Sequence, residues 1–375
     1  EMNVTMAFSY PDVYEIGMSY SGLEIIYGVI NQEKNFLCER VFAPWPDMEE
    51  EMRKVDLSLY TLESKRPVKD FDFFGFTFQY ELSYTNILNM MNLAGIELYR
   101  DKRDESSPII IGGGPCTYNP EPMADFFDLF YIGEGEEGLI ELFSLYEKMM
   151  SENKSKKEFI KEAGRTIEGI YAPEFYEEIY DGERLIQRRT QEGFPEVISK
   201  RVISNFDDNY VNTKPFVSNI QSVHDRVVEG IFRGCTQGCR FCQAGMIYRP
   251  IREKSVETIV KNIKDKLKST GQSEISLSSL STCDYKDLEG LISALKEELK
   301  SENISISLPS LRLDSKGLSI LEEIDSGRKP SITFAPEAGS QRLRDVINKN
   351  ITQDDLEKAI SYCFQQGYSG IKFYF

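Results

Sequence analysis

The chain is poor in histidine, in tryptophan and in positive charge. Its only histidine is His224, so catalysis by histidine pairs and multi-histidine metal sites are excluded as organising chemistries. Lys and Arg number 44 against 61 Asp and Glu, a net charge of -17 that disfavours an extended nucleic-acid surface while leaving room for a small basic groove. No stretch approaches the roughly 18 uninterrupted apolar residues of a membrane span. The opening EMNVTMAFSY has no charged leader followed by an apolar core. The expectation is a cytoplasmic protein with no membrane partner. Internal repeats of solenoid type and low-complexity tracts are also missing. Seven cysteines is an odd number, and three of them are too close together to staple distant loops, which argues against a disulfide framework and for metal binding.

Those three are Cys235, Cys239 and Cys242, spaced C-x3-C-x2-C in IFRGCTQGCRFCQAGMIYRPI. An apolar run from Val227 to Phe232 leads into them, so the thiols are expected on a loop leaving a buried strand. Thiolates on such a loop can wrap one 4Fe-4S cluster, and three ligands for four irons leave one iron open to chemistry. Zinc is the alternative, but it needs a fourth ligand, and His224 lies eleven residues before Cys235 without finger-like spacing. Recruitment of Cys283 would instead complete a fully ligated electron-transfer cluster.

At 375 residues two domains are expected, both α/β. From Val4 to about Met150 short apolar runs alternate with amphipathic stretches, the pattern of a doubly wound parallel sheet. Strands are expected at Val4 to Phe8, Cys38 to Phe42, Phe73 to Phe78, Pro108 to Ile111 and Leu129 to Ile132, with helices opening at Ser21, at Ser83 and at Glu137. Glycine-rich turns follow the fourth and fifth strands, at Gly112-Gly113-Gly114-Pro115 and Gly133-Glu134-Gly135. Ligands lie at such strand ends, although neither turn matches G-x-G-x-x-G and both serve equally as tight turns.

Residues 151–225 read as a connecting segment, with a hairpin from Ile170 to Arg188 turning at Asp181-Gly182. From 226 to 375 a βα rhythm sets in, with strands ending about thirty residues apart: a partial βα barrel with too little chain to close an eightfold one. Ser255 is expected to cap a helix ended by Gly271, Lys316 to Ile324 to form a helix, and Thr352 to cap another. The chain starts at Glu1 and stops on an apolar run, Gly370 to Phe375, so it is expected to be a fragment with the barrel truncated.

The cysteine motif on the first barrel loop, with Phe241 just before its last cysteine, resembles the radical S-adenosylmethionine (SAM) superfamily. The sheet domain with GGGP and GEGEE turns is similar to the cobalamin-binding domain fused to one branch of that superfamily. More narrowly, RGCTQGCRFCQAGMIYRPIRE, FQYELSYTN and GGGPCTYNPEPMADFFD resemble a family of such fused proteins with no assigned reaction. The resemblance implies a 4Fe-4S cluster on the three cysteines, SAM chelating the open iron, and a 5'-deoxyadenosyl radical made by reductive cleavage. It further implies SAM contacts from Phe241, Ser279, Ser281, Arg312 and Glu337, the last in an E-x-G after the fourth strand. The usual glycines and acid are absent at Ser279-Leu280-Ser281. Gly113, Gly114, Gly133 and Gly135 become a candidate cobalamin cradle, lined also by Met18 to Ser21 and Gln79 to Glu81. No histidine precedes His224, so a cobalamin there would have no protein histidine below its cobalt. A basic island of Arg233, Arg240, Arg249, Arg252 and Lys254 surrounds the motif. The implied partners are an electron donor such as flavodoxin or ferredoxin and a substrate that is RNA, protein or a small molecule, with methyl or methylthio transfer compatible. An iron-sulfur protein without radical chemistry is the competing reading.

Overall fold

The computed structural model describes residues 2–207, 214–300, 304–308 and 332–375. The chain divides into two compact units, Glu1–Ser204 with Phe216–His224, and Asn205–Pro215 with Asp225–Phe375.

The first unit is built on a six-stranded sheet. Its strands are β1 (Val4–Tyr10), β2 (Phe36–Phe42), β3 (Phe73–Thr77), β4 (Ile109–Gly113), β5 (Leu129–Tyr131) and β6 (Ile170–Tyr171), in the order β2-β1-β3-β4-β5-β6. The first five are mutually parallel and the last is antiparallel to β5. Because both faces are covered, the central strands are buried throughout rather than alternating: every residue of VTMAFSY and FFGFT is buried. One face packs on α1 (Ser21–Gln32), α4 (Gly135–Ser151) and α5 (Lys156–Thr166), through Leu23, Ile30, Leu142, Phe143 and Phe159. The other packs on α2 (Pro46–Lys54) and α3 (Tyr84–Leu93), through Met52, Ile87 and Met91. The connection changes direction between β1 and β3, the switch point at which open sheets of this order form a ligand crevice.

Two of these helices, α2 and α5, went unread in the sequence. α2 carries the charge-dense PDMEEEMRK and buries only Met52, and α5 lies inside the segment 151–225 that reads as a connection. Its Ser155 and Glu158 form a reciprocal capping box, a start signal hidden by the surrounding charge. The expected hairpin also begins later than Ile170. Ile170–Tyr171 is the sixth strand of the sheet, too short to show a period, and the hairpin is β7 (Tyr176–Asp181) with β8 (Arg184–Thr190).

The second unit contains the βα repeat. β9 (Val227–Gly230), β12 (Glu274–Ser278) and β13 (Ser305–Ser307) pair in parallel, as do β14 (Ile332–Phe334) and β15 (Ile371–Phe373). Between β9 and β12 lie the two-residue strands β10 (Phe232–Arg233) and β11 (Arg252–Glu253), paired antiparallel, and α6 (Val256–Thr270). Ser255 caps α6 by accepting from the Thr258 amide, and Gly271 ends it with φ +70, as its sequence signals require. Next come α7 (Leu288–Glu298), α8 (Gln341–Val346) and α9 (Gln353–Gln365), the last capped by Thr352. α8 was not expected. The helix read at Lys316 to Ile324 lies outside the described residues.

Glu229 on β9 is buried against α6, where its carboxylate accepts from Lys254 Nζ at 2.6 Å, Lys266 Nζ at 2.8 Å and Asn262 at 3.0 Å. Burial alone pushes its carboxyl up, but the two ammonium groups outweigh it and hold it below the usual glutamate range. The stabilisation from this pairing is therefore present above the ordinary glutamate value of about 4.3 and is lost as pH falls through the lower value of the folded state. Glu229→Ala leaves two buried ammonium groups unpaired, and the expected cost is about 3–5 kcal/mol, read as a lower urea midpoint for the second unit. In the wild type that midpoint should fall as the pH is lowered beyond 4.

Candidate functional site

The three thiols belong to a loop pinned at both ends. It leaves β9, is clasped at its base by the β10–β11 ladder, and returns into Ser255 and α6. Gly234 precedes the first cysteine at φ +94, where any Cβ would lie within 3.0 Å of the returning backbone at Tyr248, Pro250 and Ile251, so only glycine lets the two arms pass this closely. Cys235, Cys239 and Cys242 are half-buried and carry no disulfide. The Gln237 amide points at Cys235 Sγ at 3.5 Å, and the Cys242 amide donates to the Cys239 carbonyl at 3.1 Å. Among the described residues no three His, Cys, Asp or Glu side chains converge as they would on one metal ion. A cubane takes each thiolate on a different iron, so what it asks of the chain is three accessible thiols spread along one loop, and this loop supplies them.

Contacts from elsewhere in the barrel hold the loop in shape. Asn348 follows α8 in a left-handed conformation, φ +55, and donates to the carbonyls of Gly238 at 2.9 Å and Gln237 at 3.3 Å. The Arg240 amide donates to the Ile347 carbonyl at 2.9 Å, and its guanidinium to the Val346 carbonyl. Gln237 Nε2 donates to Asp284 at 2.6 Å, on the turn after β12. Sequence reasoning missed Asn348, Asp284 and Gln237, because their roles depend on loops meeting across 47 to 111 residues. The one local signal was polar side chains just past strand and helix ends.

The expected SAM contacts fall unevenly. Ser279 shares a hydrogen bond with Thr282 at 3.0 Å, whereas the Ser281 hydroxyl is buried and finds no partner, an orphan polar group at a strand's carboxyl end. Glu337 follows β14 at φ +66, rare for a residue with a side chain, and its carboxylate lies 3.5 Å from Lys349 Nζ. Phe241 is 53% exposed beside the thiols. Arg312 lies outside the described residues. Cys283 is buried in the turn after Ser281. The basic island splits into separate tasks: Arg233, Arg252 and Lys254 gather on the Phe206 ring, Lys254 also pairs Glu229, and Arg240 binds backbone.

In the first unit, Gly113 leaves room for a side chain, the nearest atom being 4.0 Å from where a Cβ would stand. Gly114 and Gly133 sit at φ +124 and +122, pressed on backbone at Phe78 and Arg201 respectively. Gly135 opens α4 against Ile26. Gln79 and Tyr20 meet across the switch point in a 2.7 Å hydrogen bond, while Met18, Ser19 and Tyr80 engage Arg40, Glu15 and Asp12. Beside them the Thr77 hydroxyl is buried at the end of β3 without a partner. His224 is exposed.

The family model "Radical SAM proteins, N-terminal" matches residues 22–173, and the model "Radical SAM superfamily" matches residues 230–375. The uncharacterized protein MJ0966 of Methanocaldococcus jannaschii is 24% identical over 386 aligned positions, spanning all of this chain and 70% of that protein. Among solved structures, the cobalamin-dependent SAM radical enzyme OxsB, with aqua-cobalamin and SAM bound, superposes with a TM-score of 0.64 at 15% identity. That match takes in all of this chain and 49% of OxsB, so the chain spans about half of that enzyme's length. The radical SAM methyltransferase TsrM of Kitasatospora setae, solved with tryptophan and a SAM analogue, gives 0.62 at 12% identity over 98% of this chain and 67% of that one. No helix among the described residues is long and apolar enough to cross a membrane. With a thiol-bearing loop on the first barrel strand and family models matching the chain on both sides of residue 200, the protein belongs to the radical SAM superfamily of enzymes.

Proposed function

We propose that this chain holds a 4Fe-4S cluster on Cys235, Cys239 and Cys242 and uses it to cleave SAM. The observation that carries the reading is the set of three half-buried thiols on one clasped loop, while Cys283 is buried in the turn after Ser281. When bound, the cluster supplies the electron that splits SAM into methionine and a 5'-deoxyadenosyl radical. The chain's own residues bind and orient. The Gln237 amide donates toward the sulfur of Cys235. Ser281 offers an unspent buried hydroxyl, Phe241 a ring face and Glu337 a carboxylate at the strand ends where SAM is expected. A low-potential donor of the flavodoxin or ferredoxin kind is the expected source of the electron.

We extend the proposal to cobalamin at the switch point of the sheet. Support comes from the open space at Gly113, the unspent Thr77 hydroxyl and the fold shared with cobalamin-dependent enzymes. Bound cobalamin would supply a methyl carrier at the carboxyl ends of the sheet strands, where Gly113 leaves room and Thr77 offers its hydroxyl. Methyl or methylthio transfer to RNA, protein or a small molecule is the proposed reaction range.

Anaerobically reconstituted wild type should bind about four irons and, with a reductant, form 5'-deoxyadenosine from SAM. Cys239→Ala should lose most of the iron and all of the product. Iron binding that is equally poor in both proteins would sink the reading. A second variant tests the frame of the loop. Asn348→Gly keeps the left-handed backbone without strain but removes two hydrogen bonds to the loop, so a chelator should strip the cluster about tenfold faster while the melting temperature stays close to wild type.

A further inference from the structure

Glu337 and Phe241 come from loops 96 positions apart in the chain, yet one side chain touches both. Lys349 Nζ lies 3.5 Å from Glu337 Oε1 and 5.9 Å from the centre of the Phe241 ring. Its side chain is 19% exposed and that of Glu337 30%, so the pair is partly withdrawn from water and less screened than a surface pair. The ring face adds a cation–π contact to the same ammonium group.

The backbone at each end of this bridge is held. The Glu337 amide donates to the Tyr374 carbonyl at 3.1 Å, and the Lys349 amide to the Arg344 carbonyl at 2.8 Å. Arg344 is the hub: it is fully buried and makes five side-chain hydrogen bonds, to the carbonyls of Ala338, Gly339 and Ile351 and the amide oxygens of Gln341 and Gln353. None of these acceptors is charged, so a guanidinium this deep is spent on geometry, fixing the two carbonyls directly after Glu337. Asn348, one residue before Lys349, grips the cysteine loop. Residues 337 to 349 thus form one frame with the glutamate at one end and the cluster loop at the other.

We propose that Lys349 is a positioning residue for SAM, holding the Glu337 carboxylate and the Phe241 ring in register so that the fourth-strand acid and the cluster loop engage one ligand together. The inference rests on the SAM-binding reading above. Removing the ammonium group frees the carboxylate to turn away and uncouples it from the ring, although the thiols and the hydrogen bonds that hold their loop stay in place.

The test is a double-mutant cycle on the reconstituted full chain: wild type, K349M, E337Q and the double variant, with K349R as the conservative substitution. SAM is titrated while the EPR spectrum of the reduced cluster is recorded, and iron is counted separately. All variants should load iron as wild type does. K349M and E337Q should each weaken SAM binding roughly 10-fold, and the double variant should be little worse than either, because the two act as a unit. K349R should recover most of the affinity. The proposal is overturned if K349M binds SAM within twofold of wild type, if the two losses multiply, or if K349M loses iron, which would make the lysine a holder of the cluster loop. A wild type that loads iron but gives no spectral response to SAM overturns the SAM-binding reading and this inference with it. A responding wild type with an unaltered K349M overturns the inference alone.

Discussion

The site rests on a set of hydrogen bonds to the cysteine loop from residues outside it. This loop buries few apolar side chains of its own, so its shape must come from directional contacts. Asn348, the Ile347 carbonyl and Asp284 supply them, and the β10–β11 ladder closes the base. Parallel strands provide the anchoring points: the loops after β9 and β12 leave the carboxyl ends of neighbouring strands in one sheet, and the loop after β14 leaves the carboxyl end of a second parallel pair. The Glu229 cluster on the helical side of β9 ties that first strand to α6 and so fixes where the loop begins.

The two units show the same rule in different chemistry. In the first, strands that are buried throughout are sandwiched between helical layers, leaving their carboxyl ends to carry glycine turns and polar groups at the switch point. In the second, strand ends carry thiols, hydroxyls and a carboxylate. Each unit has a buried hydroxyl that finds no partner near a strand's carboxyl end, Thr77 in the first and Ser281 in the second. Buried hydroxyls without partners are uncommon because each forfeits a hydrogen bond, and their placement at strand ends is what a ligand-binding surface requires.

Much of this was legible from residue order alone. Strong local signals carried through: the strand that leads into the cysteine loop, the buried β1 and β3, the Ser255 cap with Gly271, and the Thr352 cap. Weak ones did not. α2 and α5 are charge-rich and bury few side chains, and β6 is two residues long, so periodicity had nothing to act on. Arg344 is the sharpest case. In the run Ser340-Gln341-Arg342-Leu343-Arg344 nothing marks the last residue as fully buried, since its burial follows from carbonyls that two separate segments, at Ala338-Gly339 and at Ile351, bring to one point. The glycines at 114 and 133 had two readings in sequence, and the structure supplies a packing reason for both in the backbone of Phe78 and Arg201.

The central claim is that the cluster on this loop keeps one iron open and that SAM occupies it. The most direct measurement is electron–nuclear double resonance on the reduced, reconstituted protein mixed with SAM bearing a nitrogen-15 label at its amino group. A ligated amino group must show a hyperfine coupling to the cluster spin, one that disappears when unlabelled SAM is substituted and is absent without SAM. A reduced cluster that loads fully on the three cysteines and shows no coupling to the label at saturating SAM would contradict the account.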